Sequence, residues 1–283
     1  MSYFRPLLHS LSDLKTSFSL FIPDLLMLGI NLLLALGFLA INGDIFGVLL
    51  TNPGMLFKQD SGTLLNLLNS VKVQNHALKL IFSFVGFLLA TFLFGAGLLS
   101  IKYTMLRNLC KHHSVSLKKA FREGGTYFLP ILQIRAFVFI LIALVTLLLK
   151  LIVGDFLLLN GTALLAGYLF VEIALFLVNL FLLFRYPILF LNKVNAFTAL
   201  KSAFIFAFKK PKAVFFTWLT IFLVTSFFTL TIGGFFGYLA FLNRGEIGLI
   251  MLVLTFYLIR SLILLIVRLW MDIYLFEVYS DVR

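Results

Sequence analysis

Charge is what this sequence has least of. Only 12% of its 283 residues are charged, about half of the roughly 25% that a soluble domain spreads over its surface. A chain so poorly supplied cannot clothe a water-facing exterior, and 62% of it is hydrophobic, with a mean hydropathy of +1.10. A single cysteine, Cys110, excludes an internal disulfide. It sits near His112 and His113, but adjacent histidines do not share a helix face and a closed zinc site wants four partners. No metal site is expected there, and His9 and His76 read as interfacial. Acidic residues number only 11, and no nucleophile triad, paired carboxylates or phosphate-cradling glycine loop is found. The chain therefore reads as non-enzymatic, with no cofactor.

What is abundant is long apolar runs. A helix needs roughly 20 apolar residues to cross about 30 Å of hydrocarbon, and runs of that order occur at Leu20–Ile41, Leu78–Ile101, Ile131–Val153, Ala163–Phe184, Ala213–Phe241 and Ile247–Leu269. Their length excludes the short alternating strands of a membrane β-barrel. The expected fold is an all-α polytopic protein with six membrane helices in a single membrane domain. The first run is too long for a signal-peptide core and lacks a small-residue cleavage site, so it is expected to be retained.

The net charge of +12 would suit a nucleic-acid partner, but its distribution points to lipid. Lys102, Arg107, Lys111, Lys118, Lys119 and Arg122 fall in one connection, and Arg185, Lys193, Lys201, Lys209, Lys210 and Lys212 in another. The connections between them are poor in cations. By the positive-inside bias both basic connections, and with them both termini, are expected on the cytoplasmic side of the cell membrane, where cations meet anionic headgroups.

One phrase occurs in triplicate: "DLKTSF" at Asp13–Phe18, "SLKKAF" at Ser116–Phe121 and "ALKSAF" at Ala199–Phe204. Each precedes a span, with Pro23, Pro130 or Pro211 near the junction, and each continues an amphipathic pattern of helical period. Such a segment is expected to lie flat at the inner interface, apolar stripe down, with Lys15, Lys118, Lys119, Lys201, Lys209 and Lys210 meeting phosphates. Proline should then break the helix and let the chain turn into the membrane. The segments from Ser100 and Leu183 align without a gap, Tyr103 on Tyr186, an offset of 186 − 103 = 83; the same step carries Lys102 to Arg185 and Arg185 to Arg268. These periods imply three tandem units, each an amphipathic helix and a helical hairpin, at about 1–102, 103–185 and 186–283. The first contains an outer-loop insertion at about 42–77, whose "GTLLNLLNSVKV" suits contact with the outer interface or with a protein partner. Parallel repeats imply a pseudo-threefold axis along the membrane normal.

The stretch "ALKSAFIFAFKKPKAVFFTWL" resembles a broad set of six-helix membrane proteins that includes the membrane domain attached to some glycerophosphodiester phosphodiesterases and the YciC-like proteins. That resemblance implies the six-helix fold over the whole chain. The soluble phosphodiesterase domain has no counterpart in these residues, so no enzymatic role and no site residue follow from it.

Ionisable groups inside a span cost about 3 kcal/mol each on insertion scales, which makes Arg135, Glu172 and Arg260 the pointers to function. At about 1.5 Å per residue, Arg260 lies about 12 Å inside Arg268, Glu172 about 20 Å inside Arg185, and Arg135 about 10 Å from its basic end. Asn31 and Asn179 fall at comparable depth, with Gln133 close by. Together they form an expected inner-leaflet layer able to hold a phosphate or carboxylate headgroup. Two other readings stay open: the arginines snorkel while Glu172 neutralises Arg260, or the layer is an ion or proton path. The sequence thus favours a module that binds, senses or transports a lipid-like anion, with a structural anchor recruiting a protein partner as the alternative. Gly233 and Gly237, in "GGFFG", are expected to let two helices approach closely.

Overall fold

The computed structural model describes residues 4–16, 18–43, 71–113, 115–157, 172–242 and 246–283. Among them the chain is helical and forms no strand. The helices are α1 (Phe4–Thr16), α2 (Phe21–Ile41) after a 3₁₀ turn at Phe18–Leu20, α3 (Val71–Cys110), α4 (Leu117–Leu157), α5 (172–181), α6 (Arg185–Asn192), α7 (Ala196–Lys209), α8 (Pro211–Leu242) and α9 (Glu246–Val282). Five stretches are long and apolar enough to cross a membrane: Phe18–Ile41, Leu78–Cys110, Leu117–Leu147, Glu172–Asn192 and Pro211–Leu239. The sixth expected run, Ile247–Leu269, falls within the 37 residues of α9. Most of the outer-loop insertion lies outside the described residues, as does the start of the fourth expected span.

Prolines sit where a helix tolerates them. Pro6, Pro23 and Pro187 occupy first turns, and Pro211 opens α8 directly after Lys210 ends α7, positions where the missing N–H is no loss. Pro130 departs from expectation: α4 runs through it without a break, so the second ramp and its span are one helix of 41 residues. Burial of Ile131 and Ile134 immediately after it packs α4 past the lost hydrogen bond, whereas at Pro211 the Lys210 backbone has already left helical geometry (φ −130°, ψ 55°).

The chain divides into two compact units, one of Met1–Asp24 with Leu99–Arg283 and one of Leu25–Leu98. In the smaller unit, Phe38 meets Phe84 and Phe87, and the buried Asn42 amide donates to Ser83 Oγ at 2.9 Å. The larger unit holds the main core. There α1 packs on α9, α9 on α8, and α7 on both α6 and α4. The helix α6 is apolar nearly all round and Tyr186–Leu191 are buried, as expected of a segment enclosed by others. Its Phe190 stacks on Tyr127 (4.3 Å between centroids), while Tyr103 stacks on Tyr186 (4.7 Å) and Phe276 (5.6 Å). Tyr103 and Tyr186 are the pair related by the 83-residue offset. The three phrases share part of an environment: Phe18, Phe121 and Phe204 are 74%, 59% and 49% exposed and the adjacent Lys15, Lys118 and Lys201 are exposed, while Leu200 is buried and Leu14 and Leu117 are half-buried.

Close helix approach occurs at Gly124 rather than at the glycine pair in α8. A Cβ at Gly124 would sit 3.3 Å from the Ile101 backbone, whereas at Gly233 and Gly237 it meets no described atom within 4 Å. Gly124→Val is therefore expected to destabilise by about 1–3 kcal/mol through overpacking. Gly125→Ala, with nothing within 4 Å, should gain up to about 1 kcal/mol of helix propensity. Melting curves of the two purified variants in one detergent check the pair, and a stable Gly124→Val would mean that α3 and α4 do not approach here.

Candidate functional site

The end of α3 is where polar chemistry collects in the larger unit. This helix closes with the His113 N–H donating to the Asn108 carbonyl (2.9 Å) and the His112 N–H to the Leu109 carbonyl (2.8 Å), His112 taking φ 54°. That is a Schellman closure, usually built on glycine. Around it lie two recesses of unlike charge.

The basic recess, about 390 Å³, is lined by Arg107, Asn108, Lys111, His113, Lys119, Glu123, Thr126, Tyr127 and Lys193. Its fixed point is Arg107, 7% exposed. The guanidinium donates to Glu123 Oε2 at 2.5 Å, to the Tyr127 hydroxyl at 3.1 Å and to Asn108 Oδ1 at 3.2 Å. Glu123 thereby satisfies Arg107 and meets Lys119 only at 3.9 Å, which leaves three exposed lysines, 111, 119 and 193, against one shared carboxylate. Because Asn108 Oδ1 accepts from Arg107, its amide nitrogen is a donor, and it is buried with no hydrogen-bond partner. Cations in excess with a spare amide donor suit a phosphate or carboxylate.

The mixed recess, also about 390 Å³, is lined by Arg5, Pro6, His9, Asp13, Leu109, Cys110, His112, Glu277, Ser280 and Asp281. The His9 ring nitrogen Nδ1 lies 2.7 Å from Glu277 Oε1 and 3.7 Å from Asp13 Oδ2. Glu277 draws the His9 pKa upward by hydrogen bonding and by charge. Burial pushes Glu277 itself up to about 7, against the opposing pull of His9. The Trp270 indole donates to Ser10 Oγ at 3.0 Å on the same face of α1. Behind the recesses, Lys102, only 3% exposed, forms ion pairs at 2.7 Å with both Asp24 and Asp272.

The expected intramembrane layer is placed as follows. Arg135 is half-buried on α4 and Gln133 is exposed. Asn179 is exposed and its amide donates to the Leu175 carbonyl of its own helix. Arg260 lies over the Phe256 ring at 5.9 Å, and its Nε is buried without a hydrogen-bond partner. Glu172 is exposed, and among the described residues no ion pair joins it to Arg260. Asn31 belongs to the smaller unit, its Oδ1 buried and without a partner. Of the expected surface lysines, Lys15, Lys118, Lys119, Lys201 and Lys209 are exposed. Lys210 is the exception: its ammonium donates to the Val282 carbonyl at the end of α9, where a cation also complements the helix dipole.

Sequence reading places Arg107, Lys111 and Lys119 in a basic connection without recognising a recess. The signal was the density of cations there; Tyr127 joins the lining two turns beyond Lys119 on α4, and Lys193, after α6, arrives from a distant part of the chain. No family model matches the chain, and neither a curated protein nor a solved structure is similar to it.

Proposed function

We propose that this chain is a multi-pass membrane protein that holds the anionic headgroup of a lipid-like amphiphile in the recess around Arg107. The observation that carries the reading is the composition of that recess: Arg107 locked by Glu123, and Lys111, Lys119 and Lys193 left in surplus around an unpartnered Asn108 donor. In this reading the chain crosses the cell membrane six times, α9 supplying the last crossing, and both termini are cytoplasmic. The recess then lies at the inner-leaflet interface, within reach of headgroups. The exposed Phe18, Phe121 and Phe204 support three tandem units whose ramps rest at that interface with their lysines in the phosphate layer. The handling is binding, sensing or transport of an intact amphiphile rather than its conversion.

Native mass spectrometry of the detergent-extracted protein tests this. The wild type is expected to retain anionic lipid, and Lys119→Glu with Lys193→Glu to lose at least about tenfold in occupancy, since a hydrogen bond to a charged group is worth about 1.5–3 kcal/mol and 1.4 kcal/mol is tenfold. Both side chains are exposed, so the fold should survive. Equal lipid retention would overturn the reading. Equal lipid with loss of a co-isolated protein on reversing Lys118, Lys119, Lys209 and Lys210 would favour the anchor alternative.

A further inference from the structure

Outside the basic recess, one cluster among the described residues has the composition of a metal site. His9 and Asp13 stand four residues apart on α1 and so share a helix face, and Glu277 faces them from α9. His9 Nδ1 lies 2.7 Å from Glu277 Oε1 and 3.7 Å from Asp13 Oδ2, inside the roughly 4.4 Å limit for two ligands that each sit about 2.0–2.2 Å from one ion. Glu277 is 11% exposed and its Oε2 is buried, a lone-pair donor already removed from water. The wall of the adjoining recess adds Cys110, His112 and Asp281, and Asp281 follows Glu277 by one helical turn on α9. The cluster is therefore more than an acidic patch: it combines an imidazole nitrogen, two carboxylates and a half-open recess.

We propose that His9 Nδ1, Asp13 and Glu277 bind a divalent transition-metal ion of the zinc class, with the recess holding its fourth ligand. Nitrogen and oxygen donors at four-coordinate spacing favour zinc over calcium or magnesium, which seek six or more oxygens. Cys110 and His112 line the adjoining recess, where the sequence by itself led to no metal site being expected; the three ligands proposed come from α1 and α9. Bound metal would tie α1 to α9, and its effect would be distinct from the headgroup site, whose lysines line the other recess.

Cobalt(II) is the probe, titrated into the purified, tag-free full-length protein and followed by visible absorption. One equivalent should bind, with ligand-field bands of tetrahedral intensity, and should raise the melting temperature. Glu277→Gln keeps an amide oxygen able to accept from His9 and so preserves the link between helices; it is expected to weaken cobalt binding about 100-fold or more, given that even supporting residues around a metal cost about 10–100-fold. Asp13→Asn should act in the same direction, and circular dichroism of both variants should match the wild type. A sulfur-to-cobalt charge-transfer band lost in Cys110→Ser would identify the fourth ligand as the thiolate. Absence of binding by the wild type, or unchanged affinity in both carboxylate variants, would overturn the proposal and leave His9–Glu277 as a helix-to-helix contact alone.

Discussion

Lys102→Ala is expected to destabilise the protein by about 3–5 kcal/mol, the usual cost of removing one partner from a buried ion pair. The ammonium touches Asp24 and Asp272 at 2.7 Å each, and these carboxylates are mostly shielded from water. Without Lys102 they face one another with no counter-ion between them. Total stability is of order 5–15 kcal/mol, so this one loss removes a large part of it. Replacing all three charges together, as Asp24→Asn, Lys102→Met and Asp272→Asn, should recover most of the loss, because a neutral core of similar volume is often as stable as a buried ion cluster. Folded yield and melting temperature in detergent check both variants. A Lys102→Ala protein as stable as wild type would mean the triad does not exist.

Tyr103→Ala is expected to cost about 3–5 kcal/mol, the range for deleting a buried aromatic ring. The ring is buried and in contact with three others, Tyr186, Phe190 and Phe276, which join α3 to α6 and α9. Tyr103→Phe keeps the stacking and should cost far less. A melting temperature equal for the two substitutions would show that the hydroxyl, not the stack, holds these helices.

Much of this was legible in the sequence, for definite physical reasons. Helical spans declare themselves by unbroken apolar length, and five of the expected six are met among the described residues. The offset that pairs Tyr103 with Tyr186 identified two residues that stack on one another. Legibility fails where an outcome depends on competition or on distance. Pro130 read as a breaker because its local cost is visible, while the apolar packing that carries α4 past it is not. His9 and Glu277 are separated by 268 residues, and nothing local to either announces the other. Depth along a helix could be counted for Asn179 and Glu172, but rotation about its axis could not, and both residues are exposed. Lys210 looked like another interfacial cation until α9 brought the Val282 carbonyl to it.

The central claim is that an anionic headgroup occupies the recess around Arg107. The most direct measurement is an experimental density map of the protein extracted together with its native lipids. The account predicts a phosphate or carboxylate within about 3 Å of the Lys119 and Lys193 ammonium groups. Headgroups resolved elsewhere on the protein, with only water between those lysines, would contradict it.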